Sequence, residues 1–204
     1  MIQTIMRLAV LVGLPLLVLG ACARTEPARF YLLHSLSGSE LDKPGERVET
    51  NTTRVGIGIE TVKIAPYLDR PEIATRPAPY RVQFAEFDRW AEPLQDNIAE
   101  VLAENLSVLL RSDRIALFPW SAGTVIDYRV VVEVMRFDNE LGKEALLRSR
   151  WTILGPGERK PLVSRKADYR QPIAAGDYES LAAANSRLLA DLSRDIAVAL
   201  GDLH

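Results

Sequence analysis

Cysteine occurs once in the 204 residues, at Cys22, and histidine twice, at His34 and His204. A single cysteine cannot close an internal disulfide, so the fold has no covalent framework. Two distant histidines give no cluster with the ligand spacing of a transition metal, and a Ser-His-Asp arrangement would have to use His34. Glycine is scattered. Gly56-Ile57-Gly58 lacks the third glycine of a phosphate-cradling loop and leads toward Pro66 instead of into a helix. Basic residues are not in excess: 25 Lys and Arg stand against 27 Asp and Glu, a formal net charge of −2. Nothing forms the basic stripe that nucleic-acid binding requires, so no nucleic-acid partner is expected. Beyond the first residues, no apolar run is long enough to span a membrane.

The N-terminus carries the clearest positive pattern. Met1 to Arg7 has one basic side chain and no acid, and Leu8 to Leu19 is apolar apart from Gly13 and Pro15. A basic start, a short apolar stretch and small residues at its end describe a secretory signal peptide. The stretch is too short to cross about 30 Å of hydrocarbon, which takes about 20 apolar residues. It ends in Leu19-Gly20-Ala21-Cys22, which resembles the lipobox of bacterial lipoproteins. That resemblance implies a diacylglycerol on the Cys22 thiol, cleavage before it and acylation of the new amine. Several acyl chains, at about 0.8 kcal/mol per buried CH₂, make a stable anchor where one does not. Ala23 stands where an aspartate would favour retention at the inner membrane, which points to the outer membrane and its periplasmic face. The expected organisation is a removed segment over residues 1–21, a lipidated start and linker over 22–29, and one domain over 30–204. No cofactor is expected beyond the covalent lipid.

Residues 30–33 read as a first strand, and the stretch from Ser35 to Thr53 as a polar loop with Pro44-Gly45 inside it. Val55, Ile57 and Ile59 alternate with small or polar residues, as in a strand. Pro66, Pro71, Pro77 and Pro79 then divide the chain into short extended pieces, with strands expected over 72–76 and 80–87. Leu94, Ile98, Val101, Leu102, Leu106, Leu109 and Leu110 recur at helical spacing behind Pro93. Ile115 to Phe118 is a brief strand. Three more strands are expected over 124–137, 145–154 and 162–169, joined by hairpin chemistry around Gly142 and Gly155-Pro156-Gly157. Asp177 can cap a last helix whose apolar face holds Leu181, Leu188, Leu189, Leu192, Ile196 and Leu200. The predicted fold class is α+β: one domain, a mostly antiparallel sheet with two long helices packed on it.

Candidates for chemistry are few. Glu86 and Asp88 share a strand face if that strand is regular and could do acid/base work, or they could be solvated or paired with a neighbour such as Arg89. Arg148, Arg150, Arg165 and Lys166 could meet lipid phosphates, or form the polar outer face of a sheet. No catalytic residue is assigned and no enzyme activity is expected.

Three segments together are recognisable: Tyr67-Leu68-Asp69-Arg70-Pro71-Glu72-Ile73-Ala74-Thr75-Arg76, then Ala85 to Leu94 around Trp90, then Val101-Leu102-Ala103-Glu104-Asn105-Leu106. The chain resembles the PqiC family of transport auxiliary lipoproteins, and the lipobox and closing helix also fall where that family has them. The resemblance implies a non-enzymatic, outer-membrane subunit of an envelope lipid-transport system. Its partner would be an MCE-domain transporter protein with a hydrophobic lipid tunnel, and the lipoprotein would dock the far end of that conduit as a homo-oligomer. Candidate docking residues are Tyr67, Leu68, Asp69, Arg70, Phe87 and Trp90, since aromatics and arginine are enriched at interface hot spots. The same residues could instead be structural, with Asp69 and Arg70 holding a turn and Phe87 and Trp90 capping the core. Two other functions compete: an independent periplasmic binder of lipid or lipoprotein, which needs a sizeable apolar pocket, and a cell-wall hydrolase using Glu86 or Asp88.

Overall fold

The computed structural model describes residues 26–35, 55–157 and 161–203. Cys22, the apolar N-terminal segment, most of the polar stretch up to Thr53 and His204 lie outside the described residues.

The elements follow from local chemistry. Helix α1, Leu94–Leu110, starts behind Pro93 and buries Leu94, Ile98, Val101, Leu102, Leu106 and Leu109. These recur at the three- and four-residue spacing of one helix face. It stops at Arg111, whose backbone turns left-handed (φ 49°) so that its N–H reaches the carbonyls of Ser107 and Val108. Helix α2, Tyr178–Gly201, is capped by the Asp177 carboxylate, which accepts from the Ser180 N–H at 2.7 Å. Its buried face mixes leucines with Ala182, Ala184, Ala190, Ala197 and Ala199, small residues that allow close packing. The two helices pack on each other, and the fully buried Asn105 donates to Ser193 across them at 3.2 Å. Ser193 in turn donates to the Leu189 carbonyl, so neither end of that polar contact is left without a partner.

The strands are β1 Arg29–Tyr31, β2 Ile57–Ile59, β3 Lys63–Ile64, β4 Glu72–Ala78, β5 Arg81–Trp90, β6 Ile115–Leu117, β7 Tyr128–Glu140, β8 Glu144–Leu154 and β9 Pro161–Pro172. The expected antiparallel meander is β7-β8-β9. Alternation in β8 puts Leu147, Ser149, Trp151 and Ile153 on the buried side. Two features differ from the sequence reading. The sheet is in two hydrogen-bonded parts, β1-β5-β4 and β6-β2-β7-β8-β9, with β3 also on β7. And the short strands pair in parallel: β1 with β5, and β2 with both β6 and β7. Gly56 is what lets the chain enter β2, since a Cβ there would sit 2.0 Å from the Val125 carbonyl oxygen. The strand expected from residue 124 begins only at Tyr128, and Val125 before it is exposed.

Arg148 and Arg150 of the meander are held in ion pairs. Arg148 lies on Asp168 at 2.6 and 2.7 Å, and Arg150 on Glu133 at 3.1 Å. Arg165 lies 5.7 Å from the Trp151 ring centre. Arg150 and Lys166 are cross-strand partners on the polar outer face of β7-β8-β9.

Candidate functional site

The recognisable run from Tyr67 to Arg76 divides into an inward part and an outward part. Pro66 opens a single 3-10 turn, Pro66–Leu68, with the Leu68 N–H bonded to the Ala65 carbonyl at 2.8 Å. The turn buries Leu68 and aims the Tyr67 hydroxyl at Asp138 of β7, to which it donates at 2.8 Å. Burial, reinforced by the adjacent carboxylate, pushes the Tyr67 phenol above its ordinary pKa, so it stays a donor throughout the neutral range. Further along, Arg76 of β4 reaches the other oxygen of Asp138 at 2.6 Å, and Arg136 of β7 reaches that same oxygen at 2.6 Å.

One carboxylate, 7% exposed, therefore satisfies a phenol and two guanidinium groups. Because Arg76 belongs to the three-stranded part and Asp138 to the other, this cluster latches the two sheets together. Asn139 adds a weaker link, donating to the Ala74 carbonyl at 3.5 Å. A cleft of about 460 Å³ opens over the latch, lined by Arg76, Arg136 and Arg170 but also by Asp138, Glu140 and Glu144. Its charges balance, so it does not act as an anion trap.

The outward part is a shelf. Asp69 and Arg70 are exposed. The Arg70 guanidinium stacks 3.7 Å from the Phe84 ring centre while its Nε holds Glu72 at 3.0 Å. Arg89 approaches the other oxygen of Glu72 at 3.9 Å, and its backbone pairs with that of Glu72 across β5 and β4. The hydrogen bond from Arg70 holds the Glu72 carboxyl below its ordinary pKa. A planar guanidinium preset on an aromatic ring loses little freedom on meeting a partner.

The six candidate docking residues thus have different places. Asp69 and Arg70 face solvent, Tyr67 and Phe87 are half-buried, and Leu68 and Trp90 belong to the core, Trp90 being 5% exposed. The Trp90 backbone N–H also bonds the Pro71 carbonyl at 2.8 Å, tying the end of β5 to the turn. Phe87 lies where β5 departs from regular pairing, between the Ala74–Phe84 and Glu72–Arg89 partners. Sequence reasoning missed Asp138, Arg136 and Phe84. Arg76 stood in the recognisable run, but nothing local marked a partner 62 residues away.

The Glu86/Asp88 pair is not one site. Glu86 is exposed, whereas Asp88 is buried and fully engaged. It accepts from Arg29 Nε at 2.7 Å and Nη2 at 2.9 Å, and from the Tyr31 hydroxyl at 2.8 Å. Hydrogen bonding from Arg29, with burial opposing it and Tyr31 assisting, holds the Asp88 carboxyl below its ordinary pKa. Asp88 thereby pins β1, the first strand of the described residues, onto β5. The depressed value means that this contribution to stability is present above the unfolded carboxylate pKa of about 3.9 and is lost as pH falls through the folded value. The melting-temperature gap between wild type and Asp88→Asn should therefore be open at pH 6 and close as pH is lowered toward about 3. A gap independent of pH would remove the ion pair as its cause.

Among the described residues no three His, Cys, Asp or Glu side chains are grouped to hold a metal, and no helix is long and apolar enough to cross a membrane. The fold is shared with solved structures. The protein XCC0632 from Xanthomonas campestris is 18% identical at a TM-score of 0.68, covering 86% of this chain and 95% of its own. An uncharacterized protein is likewise 18% identical at 0.68, covering 86% of this chain and 99% of its own. At such identity the likeness concerns the fold. No curated protein matches the sequence. Residues 40–197, which take in the turn, the shelf, the Asp138 latch, all of α1 and most of α2, match the ABC-type transport auxiliary lipoprotein component. The chain is a member of that family of transport auxiliary lipoproteins, which is not a family of enzymes.

Proposed function

We propose that the protein is a non-enzymatic lipoprotein subunit of an MCE-type envelope lipid-transport system. In this reading it is cut before Cys22, lipidated there, held on the periplasmic face of the outer membrane, and docks the end of the transporter's conduit as a ring of identical subunits. The observation that carries it is the division of the Tyr67–Arg76 run. Asp138 holds the inner half in place, so Asp69 and Arg70 stand on a rigid turn with Phe84 and Glu72 beneath the arginine. A preorganised charged and aromatic shelf suits protein docking, where arginine and aromatic residues carry much of the binding energy. The independent-binder reading is less well served. The groove of about 570 Å³ beside β1 is open and rimmed by Glu179 and Arg187, unlike a closed apolar pocket for a lipid.

Affinity purification of the tagged, lipidated protein from envelopes in mild detergent tests the proposal. An MCE-domain protein should co-purify, identified by mass spectrometry, and should be depleted when Cys22→Ala is used in its place. Recovery of the intact protein alone, or with cell-wall enzymes, would overturn it.

A further inference from the structure

β1 violates the usual strand pattern. Tyr31 and the following Leu33 point inward, Tyr31 to Asp88 and Leu33 into the core. The alternate positions should then be polar. Instead they are Phe30, 64% exposed, and Leu32, 41% exposed. Both line the open groove against the first turns of α2, where Ala182 and Ala183 continue the apolar surface and His34 and Arg187 supply polar edges. Two outward apolar side chains on one strand, beside an open groove of mixed lining, mark a surface that meets something other than water.

The position of β1 in the chain selects the occupant. Phe30 stands eight residues after Cys22. Fully extended, that stretch spans at most about 28 Å. The Asp88 contacts to Arg29 and Tyr31 fix β1 to the domain, so the lipid end cannot draw away by peeling the strand off. We propose that Phe30 and Leu32 rest in the headgroup–acyl boundary of the bilayer that holds Cys22, so that β1 and the start of α2 form the membrane-facing side of the domain. The inference rests on the lipidation of Cys22. Given that tether, the two side chains face the bilayer at high effective concentration, and burying even this small apolar surface is favourable. It also sets an orientation. Tyr80, fully exposed in the β4–β5 turn, lies at the end of β5 opposite the residues that pair with β1, well away from Phe30 and Leu32.

The test uses the full lipidated chain in vesicles of phosphatidylethanolamine and phosphatidylglycerol. Cys22 is the only cysteine, and its thiol is consumed by the lipid, so a cysteine introduced elsewhere takes an environment-sensitive fluorophore alone. Labels go on Phe30→Cys, Leu32→Cys and, for comparison, Tyr80→Cys. All three side chains are exposed, so the fold is not threatened. Residence about 5–10 Å below the headgroups should shift the emission at 30 and 32 to the blue. Lipids brominated on their acyl chains should then quench it, while the label at 80 stays near its value in water. Equal quenching at all three positions, or none at 30 and 32, overturns the proposal. A label at 32 that responds only when envelope proteins are added assigns the surface to a protein partner and overturns it too. Flotation of the unlabelled chain is read alongside. Chain that floats without quenching at 30 and 32 sinks this inference and leaves the anchor standing, whereas chain that fails to float removes the anchor and the inference together.

Discussion

Trp90→Ala should lower folding stability by about 3–5 kcal/mol, the range for truncating a large buried aromatic. Trp90 is 5% exposed, closes β5 and packs in the same core as Leu68, Leu94 and Ile98. Its backbone N–H is bonded to the Pro71 carbonyl, so the cavity would open directly beneath the turn that carries Asp69 and Arg70. A domain of this size has about 5–15 kcal/mol in all, which leaves the variant marginal. Urea unfolding followed by circular dichroism measures it: the midpoint should fall sharply with little change in slope. Any lost association in this variant would then follow from damage to the fold. A midpoint equal to wild type, with association lost, would return Trp90 to the interface and contradict its burial.

The second large effect is expected at Asp138. Its carboxylate holds Arg76, Arg136 and Tyr67, and Asp138→Ala leaves two guanidinium groups facing each other with nothing between them. Removing one partner of a fully buried ion pair costs about 3–5 kcal/mol. Arg76 and Arg136 keep some contact with solvent, which lowers the expectation to about 2–4 kcal/mol. The three contacts share one acceptor, so Arg76→Gln and Arg136→Gln should each cost less, and their effects should not add. Hydrogen exchange gives the spatial signature, since amides of β4 should lose protection in Asp138→Ala before those of α2. If Asp138→Ala melts with wild type and β4 stays protected, the latch does not hold the sheets together.

Both residues show which parts of the molecule a single sequence makes legible. The two helices and the β7-β8-β9 meander could be read because their signals are local: leucine spacing behind Pro93, the Asp177 cap, and alternation broken at Gly142 and Gly155 to Gly157. The parallel pairing of β2 between β6 and β7 was not legible, because its partners lie more than fifty residues away and a three-residue strand carries no direction of its own. The same limit applied to the site. Tyr67, Asp69, Arg70 and Trp90 look alike as interface candidates by residue type. What separates them is the distant Asp138, which turns Tyr67 and Arg76 inward, and the core packing that encloses Trp90. The fate of the acid pair was open in the sequence for a related reason. Strand alternation put Glu86 and Asp88 on one face, but the irregular pairing of β5 and the arrival of β1 bury Asp88 and leave Glu86 in water.

Arg70→Glu, compared with wild type for thermal melting and for co-purification from envelopes, bears most directly on the proposed docking role of the shelf. Arg70 is exposed and its side-chain partners are Glu72 and Phe84, so the melting temperature should move by the equivalent of about 1 kcal/mol or less. The charge reversal should lower recovery of the MCE-domain protein by about thirtyfold or more, the scale of a hot-spot loss of about 2 kcal/mol. Full recovery of that protein with a correctly folded Arg70→Glu variant would contradict the docking role of the shelf.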